Sequence, residues 1–190
     1  MSDKRKWPLA EARKVAEQWV ERLAPFCQRI AIAGSVRREK PEVGDVEILF
    51  APTMAQGPAD LFGHVSSYSR ADDALDRMLA GNTLAKRPSA IGVFTWGPEN
   101  KLGVDVASGI PIDLFSTSLA GWGRSLVIRT GPKDFNIRLI TLASRRAIKV
   151  HAYGDPAMEK IPGGQPVACD SEKQFLALCG VPWAEPKDRK

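Results

Sequence analysis

The stretch IAIAGSVRREKPEVGDVEILF, residues 30–50, restricts the fold more than any other part of the chain. RIAIA reads as a short strand that Gly34 punctuates. GDVEILF reads as a second strand whose side chains alternate in facing. Between them, SVRREKPEV leaves room for a helical turn and a loop. Asp45 and Glu47 stand at i and i+2 on the second strand, so both carboxylates point to one face. Like charges on one face repel. They persist together when a divalent cation neutralises them, and oxygen-only ligands suit Mg²⁺ or Mn²⁺. Taken alone, a D-x-E on a strand is more often an ordinary solvated face.

The upstream residues change that balance. A strand, then Gly34-Ser35, then a helical turn presents backbone N–H groups and a hydroxyl at a helix start, a geometry that binds phosphate. Arg37 and Arg38 add fork-shaped donors. A phosphate-binding turn beside a metal-binding strand is an arrangement suited to phosphoryl transfer.

The rest of the chain narrows the class. Its 190 residues suit one compact domain, or two small ones sharing a core. No run is long and apolar enough to cross a membrane. The basic N-terminus MSDKRKWPLAEARK leads into no apolar segment of a secretory signal, so the expected compartment is the cytoplasm or nucleoid. The formal net charge of +5 is compatible with a nucleic-acid partner. Cys27, Cys169 and Cys179 are odd in number and widely spaced, and they read as free thiols rather than zinc ligands. With His64 and His151 the only histidines, carboxylate and metal chemistry is better supplied than Ser–His–Asp chemistry.

PLAEARKVAEQWVERLAPF reads as an amphipathic helix, with Pro8 in its first turn and Pro25 at its end. PADLFGHVSSYS is assigned to a helix. SRADDALDRMLAG is a second helix, with Ser69 as its cap. TLAKRP, IGVFTWG, KLGVDVA and IPIDLF read as successive strands, the last two forming a hairpin around SGIP. TSLAGWGRSLVIR, FNIRLITLASRRAIK and DSEKQFLALCG then read as helices, the last with Ser171 as N-cap. A boundary near residue 118 divides a mixed α/β part, residues 1–117, from a smaller α+β part, residues 118–190.

At this point the residues resemble a family. Gly34-Ser35, followed ten residues after the serine by Asp45-x-Glu47, is similar to the nucleotidyltransferase signature of the DNA polymerase beta superfamily. GIPIDLF, TGPKDFNIRLITLA and the tail VACDSEKQFLALCGVPWAEPKDR tighten the resemblance to the family X DNA polymerases. It implies an α+β fold: a nucleotidyltransferase palm with a mixed sheet and helices, then a small α+β thumb. It implies Asp45, Glu47 and Asp113 as catalytic carboxylates holding two divalent ions, Mg²⁺ with Mn²⁺ as an alternative. On pattern alone Asp105 rivals Asp113. Gly34, Ser35, Arg38 and Gly44 match residues around the triphosphate, Gly131 matches the thumb-hinge glycine, and Asn136 a residue at the minor-groove edge of the incoming nucleotide. The resemblance implies a cis Gly131–Pro132 bond, which proline makes cheap by lowering the trans preference to roughly 0.5–1 kcal/mol. The implied partners are a DNA primer-template or gapped duplex and deoxynucleoside triphosphates, with a monomer expected. Lys86, Arg87, Lys133 and Arg138 are candidate DNA-backbone contacts. A solvated strand end is an equal reading for Lys86 and Arg87, and a solvated helix face for Lys133, Arg138, Arg145 and Arg146.

The chain also departs from the family. Glu47 stands where the polymerases usually carry aspartate. Ile128-Arg129 replaces an aromatic pair, so an isoleucine and a mobile arginine are expected to crowd a 2′-hydroxyl less. Ile140 stands in place of a thumb arginine. No lyase domain is read before the first helix, and the Lys4-Arg5-Lys6 cluster reads as a flexible phosphate contact. The leading reading is template-directed DNA polymerisation at short gaps or nicks. The alternatives are a nucleotidyltransferase working without template or on another acceptor, and a non-catalytic nucleic-acid-binding module.

Overall fold

Strand facing organises the molecule, and the computed structural model describes it over residues 5–59 and 61–190. Lys4 of the terminal basic cluster lies outside the described residues. The chain enters through β1 (Trp7–Pro8) and helix α1 (Leu9–Leu23), then a 3-10 turn over Ala24–Phe26. Strand β2 (Cys27–Ile32) leads through the short helix α2 (Gly34–Arg37) and β3 (Glu42–Val43) to β4 (Val46–Pro52). A hairpin of β5 (Met54–Ala59) and β6 (Val65–Ser69) precedes helix α3 (Arg70–Ala80). Strands β7 (Leu84–Lys86), β8 (Asn100–Asp105) and β9 (Pro111–Ser116) complete the main sheet. Its order is β2-β4-β9-β8-β7. The β4–β9 pair is parallel and the others are antiparallel, so the sheet is mixed.

Alternation along these strands divides the sheet's two faces. Val46, Ile48, Phe50, Ile112 and Leu114 face a core closed by α1 and α3. The α1 contribution is Ala12, Val15, Ala16, Trp19 and Leu23, a helical stripe. Ser69 caps α3 as its hydroxyl accepts from Asp72 N at 3.1 Å. The other face carries Glu47, Leu49, Ala51, Asp113 and Phe115. Leu49, Ala51 and Phe115 pack there against Trp122 and Leu126 of helix α4 (Trp122–Thr130).

The remainder builds a second core. Helix α5 (Lys133–Arg145), strands β10 (Ile148–Val150) and β11 (Met158–Lys160), and helix α6 (Glu172–Cys179) complete the fold. Val127, Phe135, Leu139, Met158, Phe175 and Leu176 are buried together. Gly123 lets α4 meet the chain before α6, because a Cβ there would strike the Ser171 backbone. Ser171 caps α6, as its hydroxyl accepts from Gln174 N at 3.3 Å. The Gly131–Pro132 bond is cis.

Four sequence expectations are corrected. PADLFGHVSSYS is no helix: Val65–Ser69 is a strand paired with Met54–Ala59, and Ser69 ends it by capping α3. IGVFTWG is no strand either. Gly92 at φ +81° turns it, and only isolated bridges remain, at Phe94 to Pro88 and Trp96 to Lys101. The α5 helix stops at Arg145, and Ala147 at φ +55° redirects Ile148–Val150 into β10. Thr117–Gly121 lies outside α4, and the Ser118 hydroxyl accepts from Gly121 N at 3.1 Å before the helix starts.

Candidate active site

The site is built on the parallel pair β4–β9. Its register sets Glu47 opposite Asp113, so the two side chains share the sheet face that the core does not use. Asp45 stands two residues before Glu47, at the entry to β4. Burial pushes the Glu47 carboxyl up to about 8, and its like-charged neighbours Asp45 and Asp113 add to this. Arg129 and Arg38 pull it part of the way back.

The Gly34 requirement follows from the same carboxylate. Gly34 has φ +63°, and a Cβ on it would lie 2.5 Å from Glu47 Oε1. The backbone entering α2 therefore passes directly against Glu47, and Ala33 N donates to the Glu47 carbonyl at 2.8 Å. Ser35 follows in the first turn of α2, where helix N–H groups have no partner within the helix. Gly44 lies near the N-terminal segment: Lys6 Nζ is 3.8 Å from where its Cβ would be.

The two arginines of α2 divide their work. Arg37, read from the sequence as a phosphate donor, turns to the second core instead. Its guanidinium pairs with Glu172 at 2.7 and 2.5 Å and donates to Thr130 Oγ1 at 2.9 Å. Arg38 donates to the Thr130 carbonyl, while its Nε is buried without a partner. Gly131, at φ +68°, lies against it: a Cβ there would be 3.3 Å from Arg38 Nη1. Asn136 Nδ2 donates to the Ile128 carbonyl at 2.7 Å, leaving Oδ1 buried without a partner. Gly34, Glu47, Arg38, Gly131 and Asn136 are thus linked in one chain of contacts.

The other candidates lie elsewhere. Lys86 and Arg87 point to opposite faces. Lys86 Nζ sits 5.0 Å from the Trp96 ring centre, whereas Arg87 Nη2 donates to Asp113 Oδ1. Asp105, the rival carboxylate, is buried on the core side. It accepts from Trp19 Nε1 at 3.0 Å and from the Ser108 hydroxyl at 2.7 Å. Lys133 and Arg138 are exposed on α5, Arg138 with its guanidinium 5.3 Å from the Phe135 ring centre.

Sequence reasoning read as mobile two contributions that the structure holds in place. Arg129, expected to be mobile, is held 3.7 Å from the Phe115 ring centre and 5.0 Å from that of Tyr153. Its signal was Phe115 itself, which alternation sets on the site face two residues after Asp113. Arg5 and Lys6 are also brought to the site. Trp7 pairs with Val43, two residues before Asp45, and Arg5 stacks 3.8 Å from the Trp7 ring centre.

The donor set fits a divalent cation in kind. Three carboxylates supply hard oxygens; burial, and after it the repulsion from Asp45 and Asp113, raises Glu47, and such an ion relieves that repulsion. Among the described residues, no three ligating side chains converge as they stand, and Asp113 is paired with Arg87.

Comparison with known proteins supports the fold and the thumb. Residues 125–190 match the DNA polymerase beta thumb family. The chain is 25% identical over 187 residues to the DNA polymerase/3'-5' exonuclease PolX of Bacillus subtilis, covering 97% of this chain and 29% of that protein. It therefore spans less than a third of that relative's length. The fold is similar to that of Leishmania infantum polymerase beta in a ternary P/T complex. The TM-score is 0.72 at 19% identity, over 98% of this chain and 77% of that one. Residues 125–190 are thus similar to the polymerase beta thumb, and the chain has a mixed α+β fold like that of polymerase beta.

Proposed function

We propose that this chain is a template-directed DNA polymerase of the family X type, adding nucleotides to a primer 3′-hydroxyl at short gaps or nicks, as DNA repair requires. Residues 1–117 form its palm and residues 118–190 its thumb. The observation that carries the reading is the register of Glu47 opposite Asp113, with Asp45 close enough to raise the Glu47 carboxyl and Gly34 packed on Glu47 at the entry to α2. Asp45, Glu47 and Asp113 would hold two Mg²⁺ ions, or Mn²⁺ in their place. Bound there, the ions supply charge neutralisation and activation of the attacking hydroxyl.

The protein's own groups orient the reactants. Ser35 and the first turn of α2 receive the triphosphate, Arg38 supplies a guanidinium to it, and Gly44 lets the phosphates approach the strand entry. Asn136 reaches the minor-groove edge of the incoming nucleotide beside the Gly131 hinge. Asp113 lies nearest the primer hydroxyl. Lys133 and Arg138 meet the duplex backbone. The partners are a gapped or primed DNA duplex and deoxynucleoside triphosphates. The enzyme acts as a cytoplasmic monomer. No described helix is long and apolar enough to cross a membrane.

Primer extension on gapped, nicked and single-stranded DNA, with Mg²⁺ or Mn²⁺, tests the reading. Template-matched extension on the gapped substrate is expected, with a loss of about 10³-fold or more in Asp113→Ala, roughly 4 kcal/mol. Extension of single strands without regard to template would transfer the reading to a template-independent nucleotidyltransferase. Near-normal extension by Asp113→Ala would remove Asp113 from the site.

A further inference from the structure

Arg87 is placed where a surface strand end would not put it. Its backbone N donates to the Leu102 carbonyl at 3.0 Å, and Leu102 is the register partner of Asp113. Arg87, Leu102 and Asp113 therefore stand side by side across three neighbouring chain segments on the site face. The guanidinium donates through Nη2 to Asp113 Oδ1, and through Nη1 to the Pro88 carbonyl at 3.3 Å. Its Nε is buried without a partner. The two side chains are only 20% and 15% exposed.

We propose that Arg87 holds the position on Asp113 that a divalent cation takes, so that the ion pair and metal binding exclude one another and Arg87 sets the metal affinity of the site. This rests on the reading that Asp113 is a metal ligand. A guanidinium bonded to Oδ1 uses the lone pairs that a cation needs. A cation on the same carboxylate would also stand within a few ångströms of a second positive charge, so repulsion separates them. Arg87 has somewhere to go. It follows β7, an edge strand of the sheet, and lines a cleft with Arg5, Trp7, Gly44, Asp45, Gly109 and Pro111. Rotation of the side chain alone can move the charge into that cleft, because the backbone bond to Leu102 holds the stem. The affinity of the site is then lowered by the fraction of molecules in which the pair is closed.

Mn²⁺ titration of the full chain by calorimetry, without DNA or nucleotide, tests this for the wild type, Arg87→Gln, Arg87→Lys, Asp113→Asn and the Arg87→Gln/Asp113→Asn double variant. Circular dichroism checks that each is folded, and Arg87→Lys, which keeps the charge but not the fork, serves if Arg87→Gln does not fold. The expected result is Mn²⁺ binding at least about fivefold tighter in Arg87→Gln, an intermediate gain in Arg87→Lys, and no gain in the Asp113→Asn background. Unchanged or weaker binding by both folded Arg87 variants overturns the inference, and so does a gain that survives Asp113→Asn. If the wild type binds Mn²⁺ in a way that Asp113→Asn weakens while the Arg87 variants change nothing, the metal reading stands and the inference alone falls. If no protein in the set binds Mn²⁺, the metal reading falls and takes the inference with it.

Discussion

Gly34 and Glu47 are coupled through space, and this coupling can be measured. Replacing Gly34 by alanine puts a side chain at φ +63° and a Cβ 2.5 Å from the Glu47 carboxylate. The backbone term alone is about 1–2 kcal/mol. Gly34→Ala is expected to lower stability by at least that much in urea unfolding. Shortening the carboxylate with Glu47→Asp should recover part of the contact term, so the double variant should be less destabilised than the two single effects added. The glycine's place before a D-x-E strand was legible in the sequence. Its reason was not, because the clash is with a side chain thirteen residues away. Arg129 makes the same point under the proposed function. Its side chain is stacked on Phe115 and Tyr153, and Ile128 stands beside it. With no aromatic ring at 128 or 129, discrimination between deoxy- and ribonucleotides is expected to stay below about 10⁴ in kcat/KM, less than roughly 5 kcal/mol. An Ile128→Tyr variant should raise that ratio, measured on one gapped template.

Among elements, the join between α2 and α6 matters most to stability. Glu172 is held between Arg37 and Arg189, with Arg189 Nη2 at 3.0 Å from Oε1. Burial pushes the Glu172 carboxyl up, but the bonds from Arg37 and the charge of Arg189 outweigh it and hold it below the usual range. A depressed folded value means that the unfolded chain takes up the proton first. The stabilisation is therefore full above the unfolded carboxylate range near 4.3 and is lost as pH falls through the folded value. Glu172→Gln should destabilise by about 3 kcal/mol at pH 7, since it leaves two sheltered guanidiniums without a counter-charge. Urea unfolding should show that difference shrinking in acid. The sequence could not pair Arg37 with Glu172, because nothing local connects residues 135 positions apart. It did reveal α1, α3 and α6, whose apolar stripes and Ser69 and Ser171 caps are local signals. It failed over residues 65–69, where no period dominates and the β5–β6 pairing decides the conformation.

At the scale of the whole molecule, α4 belongs to both halves. Val127 is in the second core, while Trp122 and Leu126 cover Leu49 and Phe115 of the main sheet. Trp122→Ala should cost about 3–5 kcal/mol, since the ring is fully buried. Unfolding followed by far-ultraviolet dichroism and by tryptophan fluorescence should remain a single coincident transition in the wild type. The central strands β2, β4, β8 and β9 and the helices α1, α3 and α6 were readable in advance; this sharing was not, because it depends on which side of α4 meets the sheet. It bears on modularity. The region that matches the polymerase beta thumb begins at residue 125, inside α4. A thumb transplanted at that point would leave the donor's Trp122 behind and give the recipient a sheet face with half its cover missing. A graft that respects the packing has to be cut before Gly121, so that the helix travels whole with the face it shields.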